Sequence, residues 1–216
     1  MSLLSITRTV QDVMKVVKRQ FGDESGVQLE DNDVINWIND AQDTIVNRNR
    51  VLKAKSTVAI NARQSTVTFD DLRIIQIESV HFNGRILPNM SFVEAEQKIS
   101  TTDPEGSESG TPLFWYEWAG TMTFWPTPNA AGSLDLFYSA FPDRVSTSTD
   151  SLSLPDKYFE DICRYVMTQV YEMDQDWQGS QAKQQQFDAS VNDLGEEERT
   201  SQHATYDSIV VLNPYI

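Results

Sequence analysis

The stretch LPDKYFEDICRYVMTQVYEMD, residues 154–174, decides how this chain folds. Pro155 suits a first helical turn, where its missing N–H costs nothing, and no Gly or Pro interrupts Lys157 to Asp174. At about 100° per residue, Phe159, Ile162, Val166, Val170 and Met173 fall on one side, flanked by Tyr158, Cys163, Tyr165 and Met167. The apolar arc spans roughly 200°, where a helix facing one core shows nearer 100°, so at least two neighbours are expected. Lys157, Glu160, Asp161, Arg164, Thr168 and Glu172 fill the narrow stripe opposite. Phe159, Ile162, Val166 and Val170 are the expected core stem of the fold.

Outward from this stem, Asp174-Gln175-Asp176 and Gly179 break the pattern. A second helix from Ser180 carries Phe187, Val191 and Leu194 at helical spacing. Gly195 is read as the end of its apolar face, and Glu196-Glu197-Glu198-Arg199 as a solvated continuation. At the other end of the chain, Ser5 or Thr7 caps a first helix through Val10, Val13, Met14, Val17 and Phe21. Asp31 or Asn32 caps another, with Val34, Ile38, Ala41 and Ile45 inward and Trp37 alongside, and the two read as an antiparallel hairpin.

From Lys53 the period changes to two, with Val58, Ile60, Val67 and Phe69 alternating with polar residues. Asn83-Gly84 between Phe82 and Arg85-Ile86-Leu87 is the strongest hairpin signal in the chain. Ser91 caps a short helix over Phe92, Val93, Ala95 and Ile99, and Ser100 to Thr111 reads as a flexible loop or surface arm. Three more strands follow at Leu113 to Trp118, Thr121 to Trp125 and Leu134 to Phe141, with Ala119-Gly120 as a turn. The expected fold is α+β: an antiparallel four-helix bundle, two helices before and two after, with an inserted antiparallel β-sheet or small barrel and an extended C-terminal arm. The corresponding domains are 1–52 with 153–200, 53–152, and 201–216.

That arm begins with a polar linker, Ser201 to Asp207, and ends with the apolar Ile209, Val210, Val211 and Leu212, then Pro214, Tyr215 and Ile216. Left loose, such a β-prone end is an aggregation hazard. Docking on a partner and packing back on its own sheet both account for it.

Charge is segregated. Residues 1–100 hold 12 Lys/Arg against 13 Asp/Glu, and residues 101–216 hold 5 against 19, within a chain of net charge −15. An acidic second half repels phosphate and argues against a nucleic-acid-binding module. It serves solubility, or else forms a wall along which nucleic acid slides, with Asp193, Glu196, Glu197 and Glu198 the candidate acids on a lumen. No run reaches the roughly 20 apolar residues of a membrane span, and the N-terminus lacks a signal-peptide profile, so a soluble protein of a reducing compartment is expected. The single cysteine, Cys163, lies on the apolar arc and is expected to fill core.

Catalytic and cofactor signals are weak. Neither His81 nor His203 has a Ser, Cys or carboxylate partner at a recognised spacing, and Gly106 and Gly110 lack the Lys-Ser/Thr of a phosphate loop. Glu30-Asp31-Asn32-Asp33 lacks the sixth-position Gly and twelfth-position Glu of a calcium loop. Glu105 and Glu108 pair only in a flexible loop, and a small hydrolase using them requires both to be buried. The aromatic group Phe114, Trp115, Tyr116, Trp118, Phe124 and Trp125 has no basic residues beside it, so sheet core or a subunit contact fits better than base stacking. No enzyme, metal or cofactor is expected.

Three segments resemble the head-to-tail adaptor (connector, gatekeeper or tail tubular protein A) family of tailed phages. Asp31 to Gln42 is similar to that family's second helix, with its acid-rich cap and an Ile-Asn-Asp-Ala-Gln core at Ile38 to Gln42. Leu154-Pro155-Asp156 is similar to the Leu-Pro-acidic opening of its third helix, and Tyr171 to Asp176 to the break before its fourth. The resemblance spans 7–50 and 154–198, and covers the β insertion only in its placement. It implies a structural virion protein at the head-tail neck, assembled in the host cytoplasm: a homo-oligomeric ring, usually dodecameric, between portal and tail or nozzle proteins. It also implies a lumen that passes DNA without specific binding and terminal arms that clasp the portal, a role that falls here to Ile209–Ile216. The alternative function is a virion surface or tail module that binds carbohydrate or protein through the aromatic β domain.

Overall fold

The computed structural model describes residues 8–207, apart from 24, 70–71 and 104–107. Contacts divide the chain into two units, residues 1–52 with 141–216, and residues 53–140. The helices are α1 (Val10–Phe21), α2 (Asp31–Asn49), α3 (Phe92–Thr102), α4 (Phe159–Met173) and α5 (Trp177–Asp207). The strands are β1 (Lys53–Ile60), β2 (Thr66–Thr68), β3 (Ile74–Phe82), β4 (Arg85–Leu87), β5 (Ser109–Gly110), β6 (Phe114–Trp118), β7 (Thr121–Trp125), β8 (Thr127–Pro128) and β9 (Gly132–Ala140).

In the helical unit α4 is the hub. It packs against α1, α2 and α5, while α1 and α2 barely touch each other. Phe159, Ile162, Val166 and Val170 are buried, with Cys163 and Met167 beside them. Part of the polar stripe of α4 is covered as well: Asp161 and Thr168 are each 1% exposed, while Lys157, Glu160 and Glu172 stay exposed. The cover is α5. Tyr165 meets Phe187 edge-on at 5.3 Å, Asp161 accepts a hydrogen bond from Ser190, and Lys157 pairs with Glu198. Burial pushes the Asp161 carboxyl above its ordinary range, against the opposing pull of Ser190 and Arg164.

This architecture is α+β, but the expected antiparallel four-helix bundle with one inserted sheet or small barrel is overturned. There are five α-helices among the described residues, one of them inside the β unit, and the strands fall into three sheets. The width of an apolar arc counts neighbours without saying how they are arranged, and here they converge on α4. Helix ends also differ from expectation. Ser5 and Thr7 lie outside the described residues, and Thr9 caps α1, its N–H and hydroxyl each donating to Asp12 Oδ2 at 3.0 Å. Glu30, not Asp31 or Asn32, stands at the N-cap of α2. Gly195 does not end a face. It is buried within α5, where a Cβ would stand 2.5 Å from Asn49 Oδ1. Its bare backbone lets Asn49 reach the helix and donate to the Val191 carbonyl at 2.8 Å. α5 then runs on through Ser201–Asp207, read above as a linker.

In the β unit, one sheet has the order β1-β9-β3-β4 and a second the order β2-β7-β6. Asn83-Gly84 joins β3 to β4, both residues at positive φ (49° and 79°), as a tight hairpin turn requires. The main core joins Ile60, Val80, Phe82, Leu134 and Leu136 to Trp115, Met122 and Phe124. Phe114, Tyr116 and Trp125 point instead toward Ala95, Phe92 and Ile99 of α3. Both faces of β6 are therefore covered, which explains why Phe114-Trp115-Tyr116 reads as a continuous aromatic run. Ser91 and Glu94 close a capping box at the start of α3. The stretch expected as a loose loop is tied down where described: α3 reaches Thr102, and β5 pairs in parallel with β8.

One polar device holds the helical unit where the chain returns to it after β9. Asn39 of α2 donates to the Val145 carbonyl and accepts from the Val145 N–H, both at 2.9 Å, and it is 5% exposed. One turn on, fully buried Gln42 accepts from the Ser153 N–H at 2.9 Å. Asn39→Ala leaves two buried backbone groups unpaired, at about 1–3 kcal/mol each. Urea denaturation should show that loss, and a midpoint like the wild type's would refute the clamp. Val166→Asp buries an unpaired carboxylate in α4 and costs about 3–5 kcal/mol, comparable to the stability of a whole domain. Loss of soluble protein is expected, and a folded, soluble variant would show that Val166 is not enclosed.

Candidate functional site

Of the acids and histidines considered for catalysis, Glu108 and His81 have described side chains, and Glu105 and His203 do not. Glu108 is exposed, its N–H donating to Asp103 Oδ2 at 2.7 Å, and Glu105 lies outside the described residues. His81 Nε2 lies 2.9 Å from Ser79 Oγ, a same-face strand pair that motif spacing passed over. The carboxylate opposite them, Asp135, is held by the Thr57 hydroxyl at 2.6 Å and Lys55 at 3.0 Å, so it gives the imidazole no orienting bond. Burial pushes the Cys163 thiol up to about 12, which removes it as a nucleophile. Among the described residues no group of three or more His, Cys, Asp or Glu side chains is placed to hold a metal ion, and no helix is long and apolar enough to cross a membrane. Five of the six singled-out aromatics are buried, and only Trp118 is exposed, stacked on Phe92 at 4.3 Å. That leaves little of a sugar- or base-stacking platform.

What the helical unit does present is surface charge, sorted by helix. On α1, Lys15, Lys18 and Arg19 line a cleft of about 460 Å³ with Gln11, Met14, Asp31 and Ser148. Their spacing of i, i+3, i+4 was legible in the sequence but was diluted in a near-neutral first half. Lys18 pairs with Asp31 at 2.6 Å, and Lys15 and Arg19 are exposed. On α5, Asp193, Glu196 and Glu197 are exposed, while Glu198 is half-buried beside Lys157. Of the four candidate lumen acids, Glu198 is thus committed within its own chain. The nominated arm residues Ile209, Val210, Val211, Leu212, Pro214, Tyr215 and Ile216 lie outside the described residues.

Ser148, in the loop of residues 146–150, lines the cleft. The Asp150 carboxylate gathers the N–H groups of Ser146 and Thr147 at 2.7 and 2.9 Å and the Thr147 hydroxyl at 2.6 Å. These bonds, the Thr147 hydroxyl foremost, lower its pKa to about 2. The loop so shaped offers its carbonyls to the start of α1: Gln11 N–H donates to Ser148 O at 2.8 Å, and Val10 N–H to Asp150 O at 3.0 Å. Two of the helix's orphan donors are satisfied by this loop.

A family model described as SU10 adaptor protein matches residues 8–210 of the chain, a span that includes every element of both units. None of the curated proteins matches the chain.

The depressed Asp150 value fixes a sign. Its contribution to the loop and to the start of α1 is complete above the ordinary carboxylate range near pH 4 and is lost as pH falls through about 2. Hydrogen exchange at Val10 and Gln11 should therefore accelerate across that window. Asp150→Ala should show the faster exchange at every pH and flatten the acid dependence. Unchanged protection in the variant would show that the loop does not need its carboxylate.

Proposed function

We propose, from the premise that this chain belongs to the SU10 adaptor protein family of phage head-to-tail adaptors, that copies of it close into a dodecameric ring between portal and tail proteins at the neck of the virion. The observation that carries the reading is the family match, because it runs through the helical unit and the β unit alike. In this reading the ring is a conduit through which DNA passes without being bound. The chain's net charge of −15 supports that, since each phosphate held by Lys or Arg would retard passage. The ring assembles in the host cytoplasm, on filled heads, before the tail or nozzle joins.

The C-terminal segment Ile209–Ile216 is assigned to the portal. Burying four apolar side chains on a partner contributes roughly 1.5–3 kcal/mol each. Ordering about eight residues costs on the order of 1–2 kcal/mol each. The two sums are comparable, so one arm binds weakly and a ring of arms firmly. Deleting Ser208–Ile216 should leave a folded, soluble protein and yield filled heads without tails, as counted by electron microscopy of complemented lysates. Truncated protein that still joins heads to tails would refute the arm. A truncated chain that unfolds would mean the segment packs within its own fold.

A further inference from the structure

We infer that the basic flank of α1 in one copy docks the acidic flank of α5 in the next copy. The inference rests on the ring reading and names the surface that builds the ring. Lys15, Lys18 and Arg19 stand at i, i+3 and i+4 on α1, and Asp193, Glu196 and Glu197 stand at i, i+3 and i+4 on α5. Each triplet therefore covers about one turn of one face. Like charges at that spacing repel within their own helix, and each triplet gains when the opposite sign faces it. Among the described residues Lys15, Arg19, Asp193, Glu196 and Glu197 make no ion pair; Lys18 alone does, with Asp31.

The two flanks are placed for head-to-tail contact. On α4, Phe159 lies under Arg8, two residues before α1, its ring centroid 4.6 Å from the guanidinium. Asp161 and Tyr165 meet Ser190 and Phe187 of α5. At about 100° per residue, Asp161 is roughly 160° round the helix from Phe159. α1 and α5 thus lie on opposite sides of α4, with the inward residues Val13, Val17, Phe187 and Val191 of each fully buried. A positive patch on one side and a negative patch on the other cannot make a two-fold contact with themselves. They pair heterologously, and a heterologous contact builds a ring when its rotation closes and a filament when it does not.

Charge also demands such a place. Copies of net charge −15 repel one another, so their contact needs opposite charges face to face. The cleft beside Lys15, Lys18 and Arg19, about 460 Å³, has room for carboxylate side chains. An exposed ion pair contributes little alone, but the contact recurs at every joint of a closed ring and adds up through multivalency. In this arrangement Asp193, Glu196 and Glu197 face a neighbour, and the wall of the bore is made by other acids of the chain.

The test uses the full-length chain supplied in trans to phage lacking it, with incorporation into purified particles as the readout and circular dichroism as the check on folding. Lys15→Glu with Arg19→Glu should lower incorporation at least tenfold, and so should Glu196→Lys with Glu197→Lys. All four changes in one chain should restore it to within about threefold of wild type, because the charges again face each other. A second measurement needs no variant. Carbodiimide treatment of wild-type particles built from mixed isotopically heavy and light chains should join Lys15 or Lys18 to Asp193, Glu196 or Glu197 between heavy and light copies. Particles holding many wild-type copies, yet indifferent to either reversal or free of those cross-links, would overturn the inference and leave the ring reading standing. Particles holding a single copy would overturn the ring reading and the inference together. Reversal of α1 that lowers affinity for duplex DNA without altering incorporation would assign the cations to nucleic acid and overturn the docking.

Discussion

The helical unit depends on the enclosure of α4. α4 packs against α1, α2 and α5, and the burial reaches past its apolar arc to Asp161 and Thr168 of the polar stripe, while Glu160 and Glu172 keep one edge in water. Burying a polar stripe costs free energy unless each group finds a partner. Thr168 donates to the Arg164 carbonyl within the helix, and Asp161 is held by Arg164 and Ser190. The raised pKa of Asp161 is the residue of that cost. With α4 between them, α1 and α5 are the flanks on which the proposed contact between copies is placed.

The second constraint is the return of the chain. A segment that leaves α2 for nine strands and comes back must be seated against the same helices, and apolar contact alone does not specify register. Asn39 supplies both a donor and an acceptor to one residue, Val145, as a neighbouring strand would. Gln42, one turn later, fixes Ser153. The Ile38-Asn39-Asp40-Ala41-Gln42 segment thus gains a physical meaning: Ile38 and Ala41 bury, and the two amides between and after them clamp backbone. Asp150 acts similarly in the same returning segment, shaping the loop whose carbonyls cap α1. Asn39 and Gln42 Oε1 bond backbone groups, although Gln42 Nε2 is buried without a partner among the described residues. Substitutions that orphan those backbone groups are expensive, while exposed ion pairs such as Arg8–Asp156 matter little.

As a member of an adaptor family, the chain invites a reading through its surfaces. The Ser79–His81 contact has the distance of a nucleophile–base pair, yet Asp135 is spent on Thr57 and Lys55. On α1 and α5, by contrast, Lys15, Arg19, Asp193, Glu196 and Glu197 are exposed.

Much of this was determined by sequence. The 3.6-residue period placed α1, α2, α4 and the start of α5, Asn83-Gly84 placed a hairpin, and the Ile38–Gln42, Leu154–Asp156 and Tyr171–Asp176 segments pointed to the adaptor family. Local patterns of this kind are set by neighbours within a few residues, so they survive without knowledge of the fold. Other features were decided only by tertiary contact. A polar residue such as Asp161 reads as solvated until a second helix is seen to cover it, and Gly195 reads as a terminator until Asn49 is found where its Cβ would be. The partition of strands into three sheets, which overturned the single inserted sheet, follows from pairings between residues dozens of positions apart, such as Thr66 with Thr123. Alternation tells which face of a strand is apolar, but not which strand will lie beside it, because the hydrogen-bonding edges of all strands are chemically alike.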